Sequence, residues 1–420
     1  MDPRWTRIAV AGLAALLVAF VVTLATGSGA KTAAGRIGGD FPAFYAAGTI
    51  ASHGDVEKVF DAERLEAQER DLGVTGGYIA FPYPPYVAEL YRPFAALPYR
   101  VAYALHTLLM VAALVAGIWL LRPLVPSLAR NPLVLGAAVA LCFPMLRALT
   151  GGQNTPLTFL LLVASWRLLA RHPYLAGVVL GLLLFKPQAA VLVVVLHALW
   201  RRWRVVAGFA AAGAATWAVN AAFAGAGWLG RWQHVITDYA KLEAKFNATN
   251  AISFPSVADT IFGYGTTASH VVGYALALAA FVVVVWCWRR GDATVQLAAV
   301  SAGVLLVSLH TVYYDAGVAA VAALVLYDRG GRAGRRAAAV LWVASFVHVL
   351  ADAARFDPLV LVVTAALGGV VVVARRATRR RRRAAPWRSL GHRRRRLDVG
   401  ATADLGDGLL AAGDPRHHRP

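Results

Sequence analysis

Six polar residues of this chain are of types that could act on one substrate: Asp40, Gln153, Asn154, Lys186, His310 and Asp315. A carboxylate can take a proton from a hydroxyl group. A lysine, a histidine and side-chain amides can stabilise the negative charge kept by a departing phosphate. The sequence has no metal-ligand spacing, no glycine loop for a nucleotide and no Ser or Cys nucleophile motif, so no metal or cofactor is expected. Asp40 follows Gly38-Gly39 and stands just before the apolar run that begins at Phe41. A helix cap and a general base are equally good readings of an aspartate there, and they are compatible. Lys186 lies inside apolar sequence, where an ammonium is costly unless paired or solvated. Snorkelling to the membrane surface is its structural alternative. Gly151-Gly152-Gln153-Asn154 reads as a tight turn, with a helix cap at Asn154 or Thr155. His310 belongs to a cluster with Tyr313, Tyr314 and Asp315; a lone histidine there is more often a satisfied partner than a catalyst. Tyr83-Pro84-Pro85-Tyr86 fixes an extended entry to a helix, because proline locks φ and restricts the residue before it.

Charge and hydropathy show what must position these groups. The 420 residues are 59% hydrophobic and 15% charged, with mean hydropathy +0.57. Several apolar stretches are long enough to cross ~30 Å of hydrocarbon as helix. The polar segments alternate between basic ones and acid-bearing ones, and basic segments stay cytoplasmic. This reading gives about 12 hydrophobic segments with both termini inside, at 8–26, 99–121, 133–149, a helix from 155 towards Arg167, 174–185, 189–200, 205–226, 266–288, 293–309, 317–327, 337–350 and 358–374. The first is expected to be a retained helix rather than a cleaved signal, since it exceeds a typical signal core. Segments 174–185 and 189–200 are each about 18 Å of helix, too short to span. They are expected to go up and come back, bending at Lys186-Pro187-Gln188. Such backbone survives at membrane depth only inside protein or beside a wet cavity. Cys142 and Cys287 lie in apolar stretches and read as small core hydrophobes.

Residues 1–374 form the expected membrane domain, all-α, with the outer loop 27–98 carrying amphipathic helices. Phe41, Phe44, Tyr45 and Gly48 share one helical face, suited to lying in the interface. Asp61 reads as the cap and Gly73 as the stop of a second short helix. A Glu66–Arg70 pair sits one turn apart on it. Asp55, Glu57, Glu63, Glu66, Glu69 and Asp71 read as its solvated acids. Residues 375–420 are an expected cytoplasmic tail without fixed structure. Its 12 arginines between 375 and 396 suit anionic inner-leaflet lipid better than nucleic acid. The Ala, Arg, Val and Gly richness suggests a GC-rich bacterial genome.

The unusual polar groups therefore converge on the outer side, where nucleotides are unavailable and a group donor would have to be lipid-linked. Gly39-Asp40-Phe41 with Phe44-Tyr45-Ala46-Ala47, then Tyr83-Pro84-Pro85, Gly152-Gln153-Asn154, Lys186-Pro187-Gln188, Pro255-Ser256-Val257 and Tyr314-Asp315 resemble glycosyltransferase family 87, of the GT-C membrane superfamily. The resemblance covers about residues 8–328. It implies a GT-C bundle in a bacterial plasma (inner) membrane. It also implies inverting transfer from a polyprenyl-phosphate-sugar donor to a glycolipid or polysaccharide acceptor on the periplasmic side. Asp40 would be the general base. Lys186 and His310 would face the lipid phosphate, and Gln153, Asn154, Tyr83, Tyr314 and Asp315 would complete the substrate site. Mannose or another hexose leads. Arabinofuranose stays open, because Ser308-Leu309-His310 lacks the Pro and the second His of the mannosyltransferase branch. The rival class is a transporter or flippase of a lipid-linked glycan, which polar residues in broken helices also suit. No inverted repeat of the half-helix pair is visible, which argues against it.

The topology is tested by labelling. Ser52→Cys should react with an impermeant maleimide in intact spheroplasts, and Ser389→Cys only after permeabilisation. Labelling at 389 but not at 52 would reverse the orientation.

Overall fold

The structure, a computed structural model, describes residues 3–26, 31–32, 35–74 and 79–400. Residues 27–30, 33–34 and 75–78 of the first outer loop, and 401–420 of the tail, lie outside the described residues. The described chain is helical apart from a two-residue antiparallel ladder of Lys31–Thr32 with Gly35–Arg36. It divides into two units, Met1–Ala374 and Arg375–Pro420.

Among the described residues, six helices are long and apolar enough to cross a membrane: Pro3–Thr26, Tyr99–Leu121, Trp203–Ala224, Thr267–Arg290, Gly331–Ala354 and Leu359–Arg379. A bent pair, Pro132–Leu141 with Phe143–Thr150, makes a seventh. The chain is thus a multi-pass membrane protein. Shorter apolar helices fill the middle: Thr155–Leu168, Pro173–Phe185, Pro187–Leu199 and Ala293–Val307. The last is the hub, buried at every residue from Thr294 to Leu306. At the arginine-rich ends the loops tie together. Asp328 accepts from the Ser127 amide at 2.8 Å, and Trp166 donates to the Ala293 carbonyl at 2.9 Å.

The half-length helices are as short as expected, and small residues seat them. A Cβ on Gly177 would lie 2.0 Å from the Val205 carbonyl oxygen, and one on Gly208 2.0 Å from that of Tyr174. Helix Pro173–Gly181 therefore crosses helix Trp203–Ala224 backbone against backbone. Between lipid-facing helices, such close contact replaces the hydrophobic drive available in water. A single 3₁₀ turn, Leu182–Phe185, then leads to Lys186, and Pro187 opens the next helix.

Four expectations are corrected. Segment 133–149 is not one helix but two, meeting at 71°. Cys142 is extended (φ −64°, ψ 142°), and Pro144, which cannot donate to a preceding turn, lies in the restarted helix. Helix Phe41–Ser52 is packed inside the protein over most of its circumference rather than on one apolar face: Phe41, Phe44, Ala46, Ala47, Gly48 and Ile50 are all buried, and only the strip of Tyr45, Thr49 and Ser52 is half-buried or exposed. The reason is that small residues lie among its apolar ones: a Cβ on Gly48 would stand 2.5 Å from the Tyr91 carbonyl oxygen, so helix Pro85–Ala95 closes onto it. Within helix Ala62–Asp71, capped by Asp61 as expected, Glu69 is not solvated. It is fully buried and accepts from the Ile79 amide at 2.7 Å, holding the returning loop. Finally, the tail is helical as far as Gly400 rather than irregular, within a helix spanning Leu359–Gly400. Arginine and alanine are good helix formers.

The glycine crossing generates a stability prediction. Gly177→Val should cost about 1–3 kcal/mol or more by overpacking and lower the unfolding midpoint in detergent. Gly213→Val, where the nearest atom is a flexible Leu184 methyl 3.5 Å away, is the control that should shift it much less.

Candidate active site

Asp40 occupies the first position before helix Phe41–Ser52 but does not cap it: no cap hydrogen bond is made by its side chain. Its φ/ψ of −95°/−6° is already near-helical, unlike the extended geometry that turns a cap side chain back onto the first turn. The carboxylate instead accepts from the Gln153 amide at 2.5 Å. The backbone underneath brings the two together. The Asp40 amide donates to the Gly151 carbonyl at 3.0 Å. Gly152, at φ +68°, passes so close that a Cβ would stand 2.6 Å from that of Phe41. A left-handed, side-chain-free residue is required there. An aromatic cradle steadies both loops. Tyr99 donates to the Ile37 carbonyl at 2.6 Å, Tyr103 to that of Thr150 at 2.7 Å, and Phe41 packs among Tyr91, Tyr99, Tyr103 and His106.

Lys186 does not snorkel. It is buried and pairs with Asp315 at 2.7 Å, its ammonium 5.5 Å from the centre of the Tyr314 ring. The same Asp315 oxygen accepts from Thr155 at 3.2 Å. Asp315 comes from a 3₁₀ segment, Tyr313–Ala319, and its neighbouring strand-like stretch is pinned by the Ile252 amide donating to the Thr311 carbonyl at 2.9 Å. Asn154 stands at the start of helix Thr155–Leu168 without capping it through its side chain, which faces the Tyr83 hydroxyl. Asn154 therefore stands at the cap position expected from the sequence but makes no side-chain cap bond there.

A cavity of about 530 Å³ opens beside the pair. Its polar wall holds Tyr83, Lys186, Gln188, His310, Tyr314 and Asp315, and its apolar wall includes Val191, Val195, Ile236 and Phe281. His310 meets Tyr239 ring to ring at 5.8 Å. Asp40 and Gln153 are not on its lining, but the charge of Asp40 bears on Tyr83, Tyr313 and Tyr314, two of which are. The structure thus gathers all eight sequence-selected residues into one region. A carboxylate lies near tyrosines that line a cavity holding a cation and an apolar wall.

The family model of glycosyltransferase family 87 matches residues 81–312, more than half of the chain. The chain belongs to that family. It is a glycosyltransferase, and transport alone, the rival expectation, gives way to catalysis. The match is narrower than the 8–328 expected: Tyr83, Gln153, Asn154, Lys186 and His310 fall within it, while Asp40, Tyr314 and Asp315 fall outside. Comparison with curated proteins and with solved structures gives no match.

Three further residues of this region were not among the expected site residues, although the sequence marked Thr155 as a possible cap and Tyr313 as a member of the His310 cluster. Thr155 completes the shell of Asp315. Tyr313 stacks edge-on to Tyr314 at 5.2 Å. Arg147 faces the Tyr313 hydroxyl from the restarted helix Phe143–Thr150. A signal for Arg147 existed: an arginine inside a stretch assigned to lipid is a functional candidate by the same rule that selected Lys186.

The buried pair separates structure from chemistry. Lys186→Met should destabilise by about 3–5 kcal/mol, because Asp315 is left buried and unpaired. Adding Asp315→Asn should recover most of that stability, read as the unfolding midpoint in detergent, without recovering sugar transfer. Recovery of both would make the pair purely structural.

Proposed function

We propose that this glycosyltransferase transfers a sugar, mannose or another hexose, from a polyprenyl-phosphate donor to a cell-envelope glycan or glycolipid. The reaction inverts the anomeric centre and takes place on the periplasmic side of a bacterial plasma membrane. The observation that carries the reading is the state of Asp40: a carboxylate at a helix start that forgoes the cap and is held by Gln153 near the cavity tyrosines. A base must keep a lone pair directed at substrate, and a capping carboxylate would spend it on backbone amides.

In this reading the acceptor hydroxyl oxygen attacks the anomeric carbon as Asp40 takes its proton. The bond from that carbon to the phosphate oxygen breaks, and the phosphate keeps the electron pair. Lys186 donates from its ammonium towards that phosphate, and His310 lines the same cavity. Asp315 holds the ammonium in place and partly offsets its charge, so that the product lipid is not bound too tightly to leave. The apolar wall of Val191, Val195 and Phe281 suits the prenyl chain. All about 12 hydrophobic segments then belong to the membrane domain, the short ones as re-entrant or buried pieces, with the arginine tail cytoplasmic and beside anionic lipid.

Asp40→Asn keeps the size of the side chain and can still accept from Gln153, but cannot take a proton. It should fold, bind undecaprenyl phosphate and lose ~10²-fold or more in transfer rate from synthetic polyprenyl-phosphate-sugar. Turnover near the wild-type rate would move the base elsewhere, first to Asp315.

A further inference from the structure

Beyond residue 312, where the family match ends, a second polar cluster backs the site. Asp357 is fully buried. One of its oxygens lies 2.8 Å from Nδ1 of His348, and the other accepts from the Leu359 amide at 2.9 Å. The His348 ring stacks on Tyr313, centroids 3.9 Å apart and planes 19° apart. Phe143 flanks both rings, at 6.1 Å from Tyr313 and 5.3 Å from His348. The Tyr313 hydroxyl faces the Arg147 guanidinium. Arg147 is exposed, and among the described residues no carboxylate lies within ion-pair distance of it. It does not line the cavity of Lys186 and His310. Yet its carbonyl accepts the Gly151 amide at 2.7 Å, and Gly151 in turn accepts the Asp40 amide at 3.0 Å. Tyr313 feels the charges of both Arg147 and Asp40.

A base needs its acceptor oriented as much as it needs the proton within reach. The cavity offers Lys186 and His310 for the donor, while outside it Gln153 holds Asp40 and Tyr313 feels the charges of both Asp40 and Arg147. We propose that Arg147 binds the acceptor, its guanidinium forking onto two adjacent oxygens of the acceptor sugar, and that Asp357, His348 and Tyr313 are positioning residues that hold it there. A planar fork suits paired oxygens, whereas an ammonium is a point charge without that geometry. The buried carboxylate fixes the imidazole, the imidazole fixes the phenol ring, and the phenol hydroxyl limits where the guanidinium can go. The inference rests on the reading of Asp40 as the base.

The test uses full-length enzyme in detergent, radiolabelled polyprenyl-phosphate-mannose as donor, and membranes from a deletion strain, titrated, as the source of acceptor. Arg147→Ala should raise the half-saturating amount of membranes about tenfold, and Arg147→Lys should recover little of it. His348→Ala should raise the same quantity several-fold, while His348→Phe, which keeps the stacked ring, should recover more than half. Affinity for undecaprenyl phosphate, a donor-side property, should stay unchanged in all four variants. An unchanged half-saturation in Arg147→Ala overturns the binding role. Equal losses in His348→Ala and His348→Phe overturn the positioning role. Should Arg147→Ala fold poorly, Arg147→Lys with wild-type half-saturation overturns the binding role equally. Absence of transfer by the wild-type enzyme overturns the donor reading, and this inference with it.

Discussion

A single ammonium buried in apolar sequence organises this protein. Lys186 cannot remain charged at the bend between two half-length helices without a partner, because each buried ion alone costs several kcal/mol. Asp315 supplies that partner from a segment 129 residues later, at 2.7 Å. The pair therefore ties the bend to the 3₁₀ segment Tyr313–Ala319, and Thr155 ties a third element to both. It also sets what the cavity can do, since the only way to keep a cation there is to keep a carboxylate beside it.

The proposed site is assembled where helices stop. Asp40 follows two glycines, Gln153 and Asn154 lie between a bent helix and the next, Lys186 sits at a bend, and Asp315 is in a 3₁₀ segment. Interrupted helices leave polar backbone exposed, and in a membrane that is tolerable only within protein. The wholly buried helix Ala293–Val307 and the backbone crossing at Gly177 and Gly208 provide that enclosure. In the proposed reading enclosure and function share a cause: the places too polar for lipid are the places that would handle substrate.

Much of this was legible, for identifiable reasons. A lysine in apolar sequence and two stretches too short to span stand out without any structure. The family resemblance marked Asp40. Other features were hidden because their signal is not local. Glu69 looks like its exposed neighbours until a loop returns over it to present the Ile79 amide. Helix Phe41–Ser52 has an apolar face like that of an interfacial helix, and only the second helix closing at Gly48 shows that most of its circumference is covered. Arg147 was concealed by a helix drawn straight through Cys142.

Sequence alone determined the class of this protein: a multi-pass, helical membrane chain of glycosyltransferase family 87, with its chemistry-bearing residues at the polar ends and breaks of apolar segments. The membrane class and the placing of those residues follow from hydropathy, proline and charge, which act over a few residues at a time, while the family follows from its motifs and the family match. Only the tertiary structure decided which groups meet: that Asp40 is held by Gln153 rather than capping a helix, that Lys186 pairs with Asp315 rather than reaching for water, and that His348 stacks on Tyr313. Each of these contacts joins residues from separate parts of the chain. Its strength depends on distance and on how much water is excluded, and neither quantity exists until the chain has packed.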